Sequence, residues 1–565
     1  MHPSTLPGWL VGRQTASVTD GMSVGAAILD ELAQAGVEVV FGLPGVHNLP
    51  LWSAHQAHHP RIIGVRHEQA AVYAADGYAR ATGRLGVAIT TTGPGAANAV
   101  AAFGEAANCG SPVLLISSDV SVGLRATGPG EAGAPRGILH EMNDQAQLFA
   151  AFADHGVIVT TARTPQAAIN AVREAITAGD ATPTGPRYVG IAADVLAMDS
   201  ARMKSVAAPS LSLETDPATV LILADLIAGS KRVVLWAGGG VVQCGTEGER
   251  LVGELSDELA APIVTTYAAR GLLAEHPLIV TAPVHEPEVA DLIAGADLLL
   301  MIGSDADGMN TRNWQMPLPA AVAAIGLGSA LERTFDFDLL IQANLVGVLR
   351  QLREITRSRN YAAREPWADM GVSEVVRDRL RADERTVTAM ALVDAMQQWP
   401  DEGVIVCDMA VAGYWVGGYA IQPRGRRLQY PVGWGTLGYA LPAAIGPAAV
   451  GIPTLAVCGD GGPLFALGEL ATIAQERLPV TLLIVDDGGY GMLRFDQQVF
   501  GHPERGVDLL TPNWAPLAQA FGIAHVEVGA DEVADVLAVT AKSPRMIVLR
   551  ETLFPPRTTS PRWRE

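Results

Sequence analysis

Short apolar runs alternate with longer amphipathic stretches along most of the chain. Between Met22 and about Val195 the runs VEVVFGL, LGVAITTTG and PVLLISS are separated by segments of helical spacing, SVGAAILDELAQAG and the stretch beginning at Ala96. Runs apolar at every position suit strands covered on both faces, and their alternation with helices predicts a parallel sheet wrapped by helices. The pattern returns in RVVLWAGGGV, APIVTTY and ADLLLMIGS, and again from near Val387. The expected fold is α/β, with three doubly wound parallel-sheet domains at residues 21–196, 217–355 and 387–552. Polar residues 197–216 and the charged stretch 356–386 read as linkers, and residues 1–20 and 553–565 as tails. The first and third units share a coarse pattern that fits an old duplication.

Length and composition narrow the class. A chain of 565 residues is long enough for several cores, and 49% hydrophobic residues with 60 glycines and 17% charged residues describe a compact α/β enzyme. A net charge of −20 opposes phosphate backbones and anionic membrane surfaces, so neither nucleic acid nor membrane is an expected partner. No run approaches the ~20 apolar residues of a membrane span. Cys109, Cys244, Cys407 and Cys458 are scattered without a Cys-x-x-Cys pair. That spacing argues against a zinc site or disulfide framework and for a reducing, cytoplasmic setting.

Candidate chemistry enters at residues 455–494, LAVCGDGGPLFALGELATIAQERLPVTLLIVDDGGYGMLR. Asp460 lies in Gly459-Asp460-Gly461-Gly462, and Asp487 follows 27 residues later in Asp486-Asp487-Gly488-Gly489-Tyr490-Gly491, with one helix and one strand between. Glycine lets backbone amides close on a phosphate, whereas a carboxylate repels it. A divalent cation removes the conflict, because hard oxygens from protein and diphosphate can share one Mg²⁺. The plainer alternative is an acidic turn, since Asp and Gly favour turns in any case. Gly238-Gly239-Gly240 also follows a strand, but it lacks a full Gly-x-Gly-x-x-Gly and a suitably spaced acidic residue, and reads as a structural turn.

Together with GVRHEQAAVYAADGYARATG, TTTGPGAANAV and YPVGWGTLGYALPAAIG, these motifs resemble the thiamine diphosphate enzymes of the acetohydroxyacid synthase and pyruvate oxidase type, over about residues 20–550. The resemblance implies thiamine diphosphate and Mg²⁺ as cofactors, in pyrimidine-binding, central and diphosphate-binding domains. It makes Asp460, Asp487 and the carbonyl of Gly489 the metal ligands, although the family usually carries asparagine where Asp487 stands. Gly461, Gly462, Tyr490, Gly491 and Met492 complete the diphosphate turn. CDMAVAGYW matches the first diphosphate-contacting segment only loosely, so Asp408, Met409 and Ala410 would act through backbone amides. Gly435 would accept a hydrogen bond from the cofactor amine, and Leu437 would be the wedge that bends the cofactor. Glu68 matches the glutamate that meets the aminopyrimidine and starts turnover, with Gly93 and Asn98 in the turn nearby.

The implied reaction is carbanion chemistry on a 2-oxo acid: CO₂ leaves, and the resulting enamine is protonated, oxidised or added to a second carbonyl. His47, between Val46 and Asn48 in FGLPGVHNLPLW, and the His140-Glu141 pair in GILHEMNDQAQLF are the candidates that choose the outcome, since histidine titrates near neutrality. GVHNLPLW, LHEMNDQ and GTLGYALPAAIG resemble most closely the 5-guanidino-2-oxopentanoate decarboxylase-like branch. That branch carries an acidic residue where this chain has Met492, which directs the expectation to an apolar or neutral 2-oxo acid. A decarboxylase or lyase is the leading reading and an acetolactate-synthase-like carboligase the alternative. A non-catalytic homologue is opposed by the intact Glu68, Asp460 and Gly435, and no flavin motif is legible for an oxidase. The family arrangement implies a homo-oligomer, a dimer of dimers, with each cofactor between the first domain of one chain and the third of another.

Overall fold

A computed structural model describes residues 22–125, 134–153, 156–177, 185–200, 215–326, 331–359, 364–559 and 562. The expected N-terminal tail, most of the first linker and the last three residues lie outside them. The first sheet holds β1 (Val39–Gly42), β2 (Arg61–Gly64), β3 (Gly86–Thr90), β4 (Val113–Asp119), β5 (Ile158–Ala162) and β6 (Arg187–Ala192) in the order β2-β1-β3-β4-β6-β5. The central sheet holds β7 (Val233–Ala237), β8 (Ile263–Thr265), β9 (Leu298–Ile302), β10 (Ala321–Gly326) and β11 (Leu339–Gln342) in the order β11-β10-β9-β7-β8. The third holds β12 (Val404–Cys407), β13 (Leu428–Gln429), β14 (Thr454–Gly459), β15 (Val480–Val485), β16 (Ala524–Val528) and β17 (Arg545–Leu549) in the order β13-β12-β14-β15-β17-β16. Counted along its own unit, the third order repeats the first. Neighbouring strands pair in parallel, as at β1 with β3 and β12 with β14, and the three-sheet α/β fold is the one the apolar runs predict.

In each sheet the chain reverses its winding beside the first strand of the unit, and there the carboxyl ends of two neighbouring strands open a crevice. Between β1 and β3 the crevice is bordered by residues 43–48 and 91–93. Between β12 and β14 it is bordered by Asp408–Ala410 and Asp460–Gly462. In the central sheet the equivalent turns press together: a Cβ on Gly238 would lie 2.3 Å from the Gly303 carbonyl oxygen, and one on Gly240 2.9 Å from Gly303 Cα. That close approach accounts for the Gly238-Gly239-Gly240 motif.

The first and third units are welded through the helices Glu68–Thr82 and Ala440–Ala449. A Cβ on Gly77 would lie 2.1 Å from the Ala443 carbonyl oxygen, and one on Gly446 2.4 Å from Tyr78 N. Backbones this close exclude any side chain, and the surrounding alanines fill the seam; one core cluster runs through both units. A buried polar knot extends it. Arg80 pairs with Asp76 and Glu105 at 2.9 and 3.1 Å, Tyr439 donates its hydroxyl to Asp76, and Glu105 accepts the backbone N–H of Trp434.

Two expected connecting segments are more ordered than their composition suggests. Residues 356–386 include the helix Val372–Ala382, which buries Val376 and Leu380 and leaves Glu374 and Arg379 outward. At the C-terminus Leu553, Thr558, Thr559 and Arg562 are buried, and Phe554 stacks under Arg385 and Arg562 while its carbonyl accepts the Trp415 indole N–H. Residues 553–559 and 562 are therefore docked on the third unit. Their polar sequence hid this because the anchors are single residues with partners far away in the chain.

Candidate active site

The third unit contributes a cavity built from three strand ends. After β14, Asp460 is fully buried; its Oδ1 accepts the N–H of Gly461 at 3.0 Å, and its Oδ2 has no partner. Burial, reinforced by the charges of Asp487 and Asp486, raises its carboxyl to about 7. After β15, the two adjacent aspartates divide their work. Asp486 accepts the Trp514 indole and an Arg550 guanidinium N–H, both at 2.8 Å, and is engaged in the fold. Asp487 is raised mainly by burial, with Arg494 opposing the shift. Its Oδ2 would lie 2.0 Å from a Cβ on Gly491, so the turn closes only over glycine. A fully buried carboxylate with an orphan oxygen and a half-buried one beside it form an all-oxygen donor set that suits a hard divalent cation and a diphosphate behind it.

The cavity is lined by Met409, Ala410, Leu437, Asp460, Gly461, Gly462, Asp487, Gly489, Tyr490, Gly491 and Met492 among the residues expected there, together with Tyr414, Phe465, Glu551 and Leu553. Asp408 and Gly435 are outside that lining. Asp408 serves differently from the backbone role expected of it. Its carboxylate is buried, accepts the N–H groups of Met409 and Gly438 at 2.9 and 3.0 Å, and lies against Gly462, where a Cβ would meet its Oδ2 at 2.6 Å. Burial raises it to about 6 against the pull of those amides. It thereby ties its own segment to the glycine-rich turns at Gly438 and Gly462. Gly435 adopts φ +76°, and the loop beside it is held from the first unit through Trp434 N–H on Glu105.

The first unit supplies a separate group at the ends of β1 and β3. Glu68 opens the helix Glu68–Thr82, is buried, and accepts the Asn98 amide at 3.0 Å. A Cβ on Gly95 would lie 3.2 Å from Glu68 Oε1, so glycine there keeps the carboxylate clear. Gly93, at φ +65°, leaves room for the His140 carbonyl, and its N–H is taken at 2.6 Å by the buried Gln145, which also reaches Ser118 O and Tyr188 OH. The rings of His47 and His140 meet edge to face with centroids 5.6 Å apart. His47 Nδ1 is buried without a partner, and burial, with His140 adding to it, lowers the proton affinity of the ring.

Two singled-out residues have local duties. Glu141 Oε2 accepts the N–H groups of Arg136, Gly137 and Ile138, the Ile138 bond being the largest cause that holds its carboxyl below the usual range. Asn48 is fully buried and braces its own loop, accepting Gly45 N–H and donating to Leu43 O. Gln145, Glu105 and Asp408 were invisible as a connected set, because each bridges segments far apart in the chain.

Among the described residues one other group has metal-type side chains, Asp30, His58 and His59. His59 Nδ1 accepts the Gln56 N–H at 2.9 Å, so its proton resides on Nε2 and is donated to Asp30 at 3.0 Å. The group is a hydrogen-bonded knot.

Family models match the three units in order. The N-terminal thiamine pyrophosphate binding domain covers residues 22–148, the central domain of the same enzymes 220–352, and the C-terminal thiamine pyrophosphate binding domain 408–550. The chain belongs to the thiamine pyrophosphate enzymes. It is 31% identical over 523 residues to a probable 2-ketoarginine decarboxylase of Pseudomonas aeruginosa, covering 89% of each chain. It is 28% identical over 538 residues to an acetolactate synthase of Bacillus subtilis, covering 92% of this chain and 91% of that one. A large subunit of acetolactate synthase from Lactococcus lactis is also 28% identical, over 552 residues, with 92% and 91% covered.

Proposed function

We propose that the protein is a Mg²⁺- and thiamine diphosphate-dependent decarboxylase of a 2-oxo acid, acting as a homo-oligomer of paired dimers in the cytoplasm. The observation that carries this reading is the division of the chemistry. The cavity is lined only by residues between Met409 and Leu553, whereas Glu68, His47 and His140 belong to the first unit. Two incomplete halves call for a second copy.

Bound in the cavity, the cofactor supplies the electron sink for loss of CO₂. Asp460 and Asp487 would hold the metal, with the Gly489 carbonyl as third protein ligand. Leu437 offers an apolar surface at the mouth, 40% exposed in the single chain. Glu68, oriented by Asn98, would share a proton with the ring nitrogen of the cofactor. His47, desolvated and backed by His140, would deliver the proton that releases an aldehyde. Glu141 supports this group by fixing the 136–141 loop. The four free cysteines agree with a reducing compartment.

Carboligation is the second reading, favoured by the similarity to acetolactate synthases over nearly the whole chain. Incubating the protein, Mg²⁺ and thiamine diphosphate with pyruvate and with longer 2-oxo acids, and measuring CO₂ and organic products together, separates the readings. The expected products are CO₂ and the free aldehyde in equal amounts. Acetolactate or acetoin from pyruvate would replace this reading by the second, and absence of CO₂ from every acid would end both.

A further inference from the structure

Away from the cofactor cavity, a second and much smaller cleft opens where the central unit meets the third. Its walls come from the segment 270–281 that follows β8 and from residues 420–422, which follow the helix Val411–Tyr419. Arg270 is the one charged residue in that lining. It is 6% exposed; Nη1 donates to the Thr281 carbonyl at 2.5 Å, and Nε has no partner. No carboxylate among the described residues bears on it. The groups that do are Tyr267, Tyr419 and a second arginine, Arg377, and burial lowers the Arg270 guanidinium to about 10.

Arg377 is buried on the helix Val372–Ala382 and donates Nη2 to the Tyr419 carbonyl at 3.0 Å, with Nε and Nη1 left unpartnered. A third buried arginine, Arg427, donates Nη1 to Gln422 Oε1 at 2.7 Å and so fixes the amide in the cleft wall. The acids in this region are already engaged. Glu286 takes Arg379 and the Tyr419 hydroxyl, both at 2.5 Å, and Asp394 takes Arg381 at 3.1 Å.

A guanidinium removed from water without a counter-ion is costly, and a carbonyl bond such as that to Thr281 offsets only part of the cost. Arg377 has a structural reason to be there, since a cation suits the C-terminal end of a helix. Arg270 has none that needs its charge. What completes it is a ligand with two oxygens set for the planar fork of a guanidinium, a carboxylate or a phosphate. The cleft is too small beside the cofactor cavity to take a nucleotide.

We propose that the cleft between the central and third units binds a small oxyanion, held by Arg270 in the field of Arg377. The bound anion would join the segment after β8 to the end of the helix Val411–Tyr419, whose first turn lines the cofactor cavity. The site is separate from the one that carries the proposed reaction and does not depend on which reaction that is.

The test uses the protein loaded with Mg²⁺ and thiamine diphosphate, so that the diphosphate turn is filled, in a buffer free of other small anions. Inorganic phosphate and acetate are titrated separately by calorimetry into wild type, Arg270→Gln and Arg270→Lys. Saturable binding of one anion per chain is expected in wild type, with a raised midpoint in urea at saturation. Affinity is expected to fall roughly ten- to a hundredfold in Arg270→Gln, the range of a hydrogen bond to a charged group. Arg270→Lys keeps a charge without the fork and is expected to lose less. Binding of phosphate alone, or of acetate alone, identifies which oxyanion the site takes. Absence of binding by both anions in wild type would overturn the proposal. So would equal affinity in wild type and Arg270→Gln, which would locate the anion elsewhere. If Arg270→Gln does not fold, Arg270→Lys decides the matter in the same way, and wild-type affinity in it would overturn the role of the fork.

Discussion

At the scale of single residues, the two aspartates of the glycine-rich turns differ in what they are free to do. Asp460 has one oxygen without a hydrogen-bond partner, so Asp460→Ala removes the carboxylate proposed to hold the metal. Its expected outcome is loss of Mg²⁺-dependent thiamine diphosphate binding in titration calorimetry. Asp487→Asn keeps an oxygen ligand in place and relieves the repulsion that helps raise Asp460. Binding within a few-fold of wild type is expected there, and equal damage in the two variants would refute the ligand assignment. Both positions were legible in the sequence because two Asp-Gly turns bracket one helix and one strand, a spacing that turn propensity alone does not produce. Asp408 stands beside the cavity without lining it, and the bracing role of its carboxylate was not legible. A carboxylate that holds Gly438 N–H and lies against Gly462 acts through contacts with residues thirty or more positions away, which no local pattern records. Glu68 was placed by resemblance, and the structure adds its Asn98 partner and the glycine that keeps its carboxylate clear.

At the scale of elements, the helices Glu68–Thr82 and Ala440–Ala449 determine how the two cofactor-related units of one chain sit together. Their closest approach is backbone on backbone, at Gly77 against Ala443 and Gly446 against Tyr78. Gly77→Ala places a methyl carbon 2.1 Å from a carbonyl oxygen in a seam with no flexible side chain to yield. The helices must separate, and a loss of about 1–3 kcal/mol is expected by the cost of overpacking, read as a lowered midpoint in urea. Gly83→Ala, at the left-handed cap that ends the helix Glu68–Thr82, is a useful contrast. Its φ of +72° gives a strain penalty, but the nearest atoms belong to the Arg426 side chain, which can move. The strands were legible as apolar runs because parallel strands here are covered on both faces. The helix Val372–Ala382 reads as linker because its charge dominates its composition, and its buried face holds two apolar residues, Val376 and Leu380, beside Ser373 and Arg377.

For the whole molecule, the decisive question is which copies of Glu68 and Asp460 work together. If each site joins the first unit of one chain to the third of its partner, two inactive variants can repair each other. Glu68→Gln keeps the shape of the carboxyl but cannot pass a proton, and is expected to lose roughly a hundred- to ten-thousandfold in turnover. Asp460→Ala is expected to bind no cofactor. In a mixed dimer, the site built from Glu68 of the second variant and Asp460 of the first is intact, while the other site carries both lesions. Random pairing of equal amounts gives half mixed dimers with one good site of two, so about a quarter of wild-type activity should return on co-expression. If each chain used its own Glu68 and its own Asp460, every site would carry one lesion and no activity would return. The measurement is CO₂ release from mixed dimers purified through a different tag on each chain, where about half of wild-type turnover is expected because homodimers are removed. An active monomer in sedimentation at micromolar concentration, or mixed dimers as inactive as their parents, would refute the shared site.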